Sequence, residues 1–161
     1  MLHRDYPDYK LNVYGGVVSK QDHDYYQQLT RMIGDTGLED HVSILPPRQD
    51  IHNAVLKSAM FVSSSDSEGL SNSMLEAMAI GLPCICTDCD GGGTREVMID
   101  HKNGLIVPKK DADAMYHAMK EFIENPDLAQ KCSQNAEKIR GKLNGKVIAQ
   151  KWLEVIKTVE S

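Results

Sequence analysis

Two carboxylates, Glu68 and Glu76, stand on either side of seven residues that begin with Gly69. The stretch runs Ser63-Ser64-Ser65-Asp66-Ser67-Glu68-Gly69-Leu70-Ser71-Asn72-Ser73-Met74-Leu75-Glu76 and continues through Ala77-Met78-Ala79-Ile80-Gly81-Leu82-Pro83. A loop that leaves a strand and enters a helix offers free backbone N–H groups and the positive end of a helix dipole, a ready site for an anion such as phosphate. Gly69 lets a ligand come close to the backbone. Glu68 and Glu76 would then accept from hydroxyl donors, as on a sugar or a ribose. Plainer readings stand beside this one. Ser73 and Glu76 have capping-box spacing, in which Glu76 reaches back to the Ser73 N–H. Glu68 alone fits a solvated loop carboxylate.

The flanking residues must place these groups. Met60-Phe61-Val62 is an apolar run suited to a buried strand, and Ser, Asp and Gly break it. From about Ser73 to Gly81 the residues favour a helix, with Gly81 at the C′ position and Pro83 beyond. Met74, Leu75, Ala77, Met78, Ala79 and Ile80 make that helix apolar almost all round, hence buried. Upstream, Asp5 to Tyr9 reads as a helix tail and turn, and Lys10–Tyr14 as a strand ending at Gly15-Gly16. Asp22 opens a helix with Tyr26, Leu29, Met32 and Ile33 on one face, closed by Gly37. Val42–Leu45 is a strand stopped by Pro46-Pro47, and Asp50 caps a helix to about Ser58. Downstream, Leu82–Thr87 is a strand, Asp88–Thr94 a glycine-rich loop, Thr94–Ile99 a short helix and Gly104–Val107 a last strand. Asp111 caps a helix through Ile123. Asn125-Pro126 starts another, with Leu128, Cys132 and Ile139 on its face. Ile148, Trp152, Val155, Ile156 and Val159 mark the final one.

Strands alternating with helices imply an α/β fold, a Rossmann-like parallel sheet with helices on both faces, and one domain over residues 1–161. Ligands in such sheets bind beyond the carboxyl ends of the strands. There the loops at Gly15-Gly16, Pro46-Pro47-Arg48, Ser64–Asn72 and Thr87–Gly93 are expected to converge.

A charge of −5 over 161 residues argues against a nucleic-acid surface, and no apolar run approaches the length of a membrane helix. Cys84 and Cys86 alternate within a strand, so they share one face with Ile85 opposite. With Cys89 and Cys132 they read as buried reduced thiols, because their spacing lacks a paired C-x-x-C or His motif. Asp88-Cys89-Asp90 resembles a metal-binding Asp-x-Asp, but acidic residues also suit a turn before Gly91-Gly92-Gly93. His3, His23, His41, His52, His101 and His117 fall in no nucleophile or metal pattern. Lys109, Lys110, Lys142 and Lys146 read as solvated charges, and Trp152 as a packing residue.

The pattern Ser65-x-x-Glu68, seven residues, then Glu76-Ala77-Met78-Ala79-x-Gly81-x-Pro83 resembles the signature of the retaining GT-B glycosyltransferases of family 4 (glycosyl transferases group 1), in their C-terminal nucleotide-sugar-binding domain. Pro7–Gly15, Gly37–Val42, Gly91-Gly92-Gly93 with Glu96, and Asn103–Pro108 agree with it in order and spacing. The resemblance implies a hexosyltransferase-type enzyme of polysaccharide biosynthesis. It would move a sugar from a nucleotide-sugar to an acceptor hydroxyl with retained configuration. It implies that Glu68 contacts the donor sugar near the reacting carbon and that Glu76 binds ribose hydroxyls. The backbone of Gly69, Leu70, Ser71 and Asn72 would hold sugar and phosphate oxygens, and Pro47 and Arg48 would lie beside the base. Ser71-Asn72-Ser73 departs from the commoner Gly-containing apolar pattern. The donor is expected as substrate with no cofactor and no metal, phosphate charge being met by the helix dipole and basic groups.

The resemblance also implies a further strand with a basic loop, lying between the counterparts of the Lys10 and Met60 strands, and an N-terminal acceptor domain. The chain therefore reads as a fragment of a two-domain enzyme, inactive alone and open to self-association through the incomplete sheet. The alternative is a non-catalytic nucleotide-binding or interaction module. The expected location is cytoplasmic, with the parent enzyme peripheral to the inner membrane face.

Overall fold

The computed structural model describes residues 1–159, which divide into two compact units, Met1–Ala54 and the part from Val55 onward. Glu160 and Ser161, the end of the single domain expected over 1–161, lie outside the described residues.

The first unit carries α1 (Leu2–Asp5), β1 (Leu11–Tyr14), α2 (Lys20–Asp35) and β2 (Val42–Leu45), with α3 (Ile51–Val55) at its border. β1 and β2 pair in parallel, Leu11 opposite Val42 and Tyr14 opposite Leu45. The α2 helix starts before the expected Asp22. Ser19 is its N-cap, and Ser19 and Asp22 exchange side-chain-to-backbone hydrogen bonds of 3.1 and 2.8 Å. This is a capping box with aspartate in place of the longer glutamate. Gly37 ends α2 at φ +63°, as its type predicts. No side chain of this unit is fully buried, and Leu11 and Val13 of β1 remain 49% and 38% exposed.

The second unit holds β3 (Phe61–Ser63), α4 (Asn72–Ala79), β4 (Cys84–Thr87), α5 (Gly93–Val97), β5 (Leu105–Val107), α6 (Ala112–Glu124), α7 (Pro126–Ala136), α8 (Ile139–Lys142) and α9 (Gly145–Val159). Its parallel sheet has the order β3-β4-β5. Strand alternation sorts the core. Cys84 and Cys86 face Met74, Met78 and Met98, while Ile85 faces Leu105, Phe122 and Cys132. Helices α4 and α8 thus cover one face and α6 the other, with α7 reaching both through Ala136 and Cys132, as the period-2 reading of Cys84-Ile85-Cys86 requires. Caps fall where the sequence puts them: Asp111 accepts from the Ala114 N–H at 2.8 Å, and Asn125 from the Leu128 N–H at 3.1 Å with Pro126 first in α7. The expected face Leu128–Cys132–Ile139 is split. α7 stops at Ala136, and the buried Ile139 opens α8.

The α/β class with parallel strands and flanking helices is as expected, but the strands fall into two sheets instead of one. Among the described residues, β1 and β3, the pair between which the resemblance inserts a further strand, each have a single hydrogen-bonded neighbour. An unpaired edge leaves N–H and C=O groups to solvent or to another chain.

Two predictions follow from this packing. Cys84, Cys86, Cys89 and Cys132 are free and buried, and burial, helped by the neighbouring Cys89, pushes the Cys86 thiol up to about 12. In a chromogenic thiol titration the native chain should react far more slowly than the unfolded chain, which should release four equivalents. His101 Nδ1 lies 3.0 Å from Asp100 and its Nε2 3.2 Å from Glu121 on α6. Desolvation lowers its pKa, but hydrogen bonds and charge from Asp100 and Glu121 outweigh this and raise it above the ordinary histidine value. A raised folded pKa stabilises fully below the unfolded value of about 6.5 and is lost as pH climbs through the folded value. The unfolding free energy from chemical denaturation should therefore fall across that window by less than about 1 kcal/mol, the imidazole being half exposed. His101→Asn, which tolerates the positive φ of 56° here, should flatten the dependence.

Candidate functional site

The paired-Glu loop spans the gap between β3 and α4, and its path is fixed mostly by backbone. Glu68 N–H donates to the Asp90 carbonyl at 3.0 Å, and Asp90 N–H donates to the Asp66 carbonyl at 3.0 Å. Thr87 Oγ1 donates to the Ser65 carbonyl at 2.5 Å, and Thr94 Oγ1 to the Thr87 carbonyl at 3.0 Å. The loop after β3 is thereby strapped to the glycine-rich loop after β4. The two backbones touch. A Cβ on Gly93 would overlap the Gly69 carbonyl and stand 2.9 Å from Leu70 N, and one on Gly91 would overlap the Glu68 carbonyl. Gly91 and Gly92 also take positive φ, +95° and +73°. Close approach and left-handed backbone both demand glycine.

Glu68 is half-buried and accepts from Ser65 Oγ at 3.3 Å. Gly69 has open space where a side chain would project, so its peptide is approachable. Helix α4 begins at Asn72, not Ser73. Ser71 is the N-cap, but its hydroxyl makes no capping bond and lies 3.1 Å from Ser73 Oγ. Ser73 is therefore inside the helix, and the Ser73–Glu76 capping box does not form. Glu76 is the fifth helical residue and is exposed. The first-turn N–H groups point out of an α4 whose Met74, Ala77 and Met78 are buried.

A hollow of about 390 Å³ adjoins this loop, bounded by Gly69 and Gly93 on one side and by Glu96, Lys142, Leu143 and Lys151 on the other. Neither Glu68 nor Glu76 lines it. Glu96 belongs to the Gly91-Gly92-Gly93 block, whereas Lys142 and Lys151 belong to no short motif, and it is the folding of α5, α8 and α9 that brings the three together. Lys142 is exposed, as expected of a solvated charge. Lys109 departs from that expectation, being 29% exposed with its Nζ 2.5 Å from Asp90, whereas Lys110 is 78% exposed and lies 3.6 Å from Asp66. The Asp-x-Asp carboxylates are engaged separately. Arg95 grips Asp88 with two bonds of 2.7 Å, which hold that carboxyl below its usual range, and Lys109 holds Asp90.

Pro47 and Arg48 lie in the first unit, past the end of β2. Arg48 forms a two-bond pair with Asp50 at 2.9 and 2.8 Å. The Asp50 carboxylate expected to cap α3 is thus committed to this exposed ion pair, and α3 is a short Ile51–Val55 turn of helix.

The family model for glycosyl transferases group 1 matches residues 1–139. The chain belongs to that family. Among relatives of this group 1 glycosyltransferase domain, an uncharacterized glycosyltransferase of Haemophilus influenzae is 25% identical over 97% of the chain and 42% of its own length. A Campylobacter jejuni N-acetylgalactosaminyltransferase acting on a diphospho-undecaprenol-linked sugar is 30% identical over 87% of the chain and 36% of its own length. The chain spans well under half the length of both. Anabaena HepE, crystallised with UDP, superposes with a TM-score of 0.87 at 22% identity, over 94% of this chain and 42% of that one. Staphylococcus aureus TarM superposes at 0.82 with 25% identity, over 95% and 30%.

The touching glycines give a direct test of the site's construction. Gly93→Ala must push the Gly69–Leu70 peptide aside and should cost about 2–4 kcal/mol in chemical denaturation. Gly92→Ala has free space and meets only backbone strain, so it should cost about 1 kcal/mol.

Proposed function

We propose that the chain is the donor-binding part of a retaining family 4 glycosyltransferase that moves a hexose from a nucleotide-sugar to an acceptor hydroxyl. The observation that carries this reading is the open, uncapped N-terminus of the buried helix α4. It is preceded by an unobstructed Gly69 and flanked by Glu68 and Glu76. Amides of Gly69, Leu70, Ser71 and Asn72 would bind sugar and phosphate oxygens, with the α4 dipole favouring their negative charge. Glu68 would orient the sugar, Ser65 steadying its carboxylate, and Glu76 would accept from ribose hydroxyls. Lys142 and Lys151, at the neighbouring hollow, are cations within the same region of the fold and would help offset the diphosphate, so the reading needs no metal. Catalysis would rest on stabilising the departing diphosphate. Action at a membrane surface fits a relative named for a diphospho-undecaprenol-linked acceptor.

Calorimetry with UDP, GDP and ADP tests the reading and names the base. Glu76→Ala should weaken the preferred nucleotide about tenfold or more, the worth of hydrogen bonds to a charged acceptor. Unchanged affinity in a folded Glu76→Ala variant would remove the ribose role. Glu68→Gln should leave UDP binding nearly intact and weaken the sugar-bearing donor.

A further inference from the structure

Among the described residues the buried polar side chains are Thr87 and Thr94, 4% and 5% exposed. Both lie beneath the loop that carries Glu68, and burial keeps both away from any ligand. Their hydroxyls form a chain with one direction. Thr94 Oγ1 donates to the Thr87 carbonyl at 3.0 Å, and Thr87 Oγ1 donates to the Ser65 carbonyl at 2.5 Å. Ser65 Oγ in turn donates to Glu68 Oε1 at 3.3 Å. The buried Cys89 thiol lies 3.5 Å from Thr94 Oγ1 and 3.9 Å from the Glu68 carbonyl. Because the one Thr94 proton is committed to Thr87, the thiol is the donor to Thr94.

Packing alone would not select threonine at position 87. The residue ends β4 after Cys84, Ile85 and Cys86, all buried and apolar, and valine has the same branched shape with a methyl in place of the hydroxyl. What the hydroxyl adds is direction. Its bond fixes where the Ser65 carbonyl points, and hence where the Ser65 side chain stands when it donates to Glu68. Ser65 is only half-buried, so water could satisfy that carbonyl without holding it in one place. Glu68 is thus held twice from the same buried pair. Its carboxylate is reached through Ser65, and its backbone through Cys89 and the Asp90 carbonyl.

We propose that Thr87 is a positioning residue for Glu68: acting through Ser65, it holds the Glu68 carboxylate in the orientation that meets the donor sugar. This deepens the sugar-orienting role given to Glu68 and rests on that reading for its ligand, but not for the hold on the carboxylate itself.

The full chain is titrated in a calorimeter with UDP, GDP and ADP and with the glucose conjugate of each. For the base that binds, Thr87→Val should lower affinity for the conjugate about fivefold and leave the bare nucleotide within about twofold. Thr87→Ser, which keeps the hydroxyl, should restore the native ratio. In a Glu68→Gln background Thr87→Val should change that ratio less than about twofold, because the group it positions is already altered. A threonine that serves packing alone would cost the same in both backgrounds, and that result would overturn the proposal. A second readout needs no ligand. The Glu68 carboxyl carbon, assigned by its loss in Glu68→Gln, should move in the carbon NMR spectrum of Thr87→Val toward the signals of exposed glutamates and stay in place in Thr87→Ser. Ser65→Ala removes the next link at a half-buried position, and should reproduce both losses even if Thr87→Val does not fold. An unmoved Glu68 signal in either folded variant would overturn the positioning, whatever binds. Failure of the native chain to bind any of these ligands, with the signal moving as stated, would instead remove the donor reading and leave the hold on Glu68 standing.

Discussion

The contact on which the site depends is peptide against peptide. The loops that follow β3 and β4 meet at Gly69 and Gly93 with no side chain between them. Parallel neighbouring strands deliver their following loops to the same end of the sheet, and the spacing between strands is only about 4.8 Å. Loops leaving there either splay or touch. Here they touch, and the Glu68–Asp90 and Asp90–Asp66 backbone bonds extend the strand pairing one step beyond β3 and β4. The open N-terminus of α4 is closely backed, because the loop beneath it leaves no space to fall back into. Glycine at 91 and 93 is a packing requirement, and at 91 and 92 a conformational one as well.

Charges around the loops reinforce this arrangement more than they advertise chemistry. Arg95 holds Asp88, Lys109 holds Asp90 and Lys110 approaches Asp66, all at or near the surface. Each exposed pair contributes little alone. Together they commit three acidic side chains of the two loops to cations from α5 and from the segment after β5. The carboxylate of Glu68 instead accepts from the Ser65 hydroxyl.

Much of this was legible in the sequence because the signals were local. Alternation of Cys84, Ile85 and Cys86 gave the two faces of the sheet, since a strand has a period of two whatever surrounds it. Asp111 and Asn125-Pro126 gave two helix starts through bonds that span three residues. Gly37 and Gly81 gave two helix ends through their positive φ. The misses had nonlocal or competing causes. Ser19 and Ser71, not Asp22 and Ser73, start their helices, because several residues nearby can cap and the path of the preceding chain selects among them. Asp50 does stand before α3 and its carbonyl accepts the first helical bonds, but Arg48 two residues earlier offers its carboxylate a charged partner in a matching fork geometry. Glu96, Lys142 and Lys151 share a hollow through tertiary folding across more than fifty residues, which no spacing encodes. The division into two sheets likewise turns on which strands find neighbours, a property of the assembly and not of any strand.

Helix α4 is also fastened at its other end, and from far along the chain. Ser133 of α7 donates to the Gly81 carbonyl at 2.6 Å, and Arg140 of α8 donates to the Ala79 carbonyl. Glu137 lies against Gly81, 3.1 Å from where a Cβ would stand. The carbonyls that close α4 therefore wait for partners fifty to sixty residues downstream. On a ribosome, where the chain emerges from its N-terminus, α4 would have no clamp until residue 140 had cleared the exit tunnel. The closing turn of the helix behind the most chemically suggestive loop would then be fastened late in synthesis, well after residues 87–94 had strapped the loop itself.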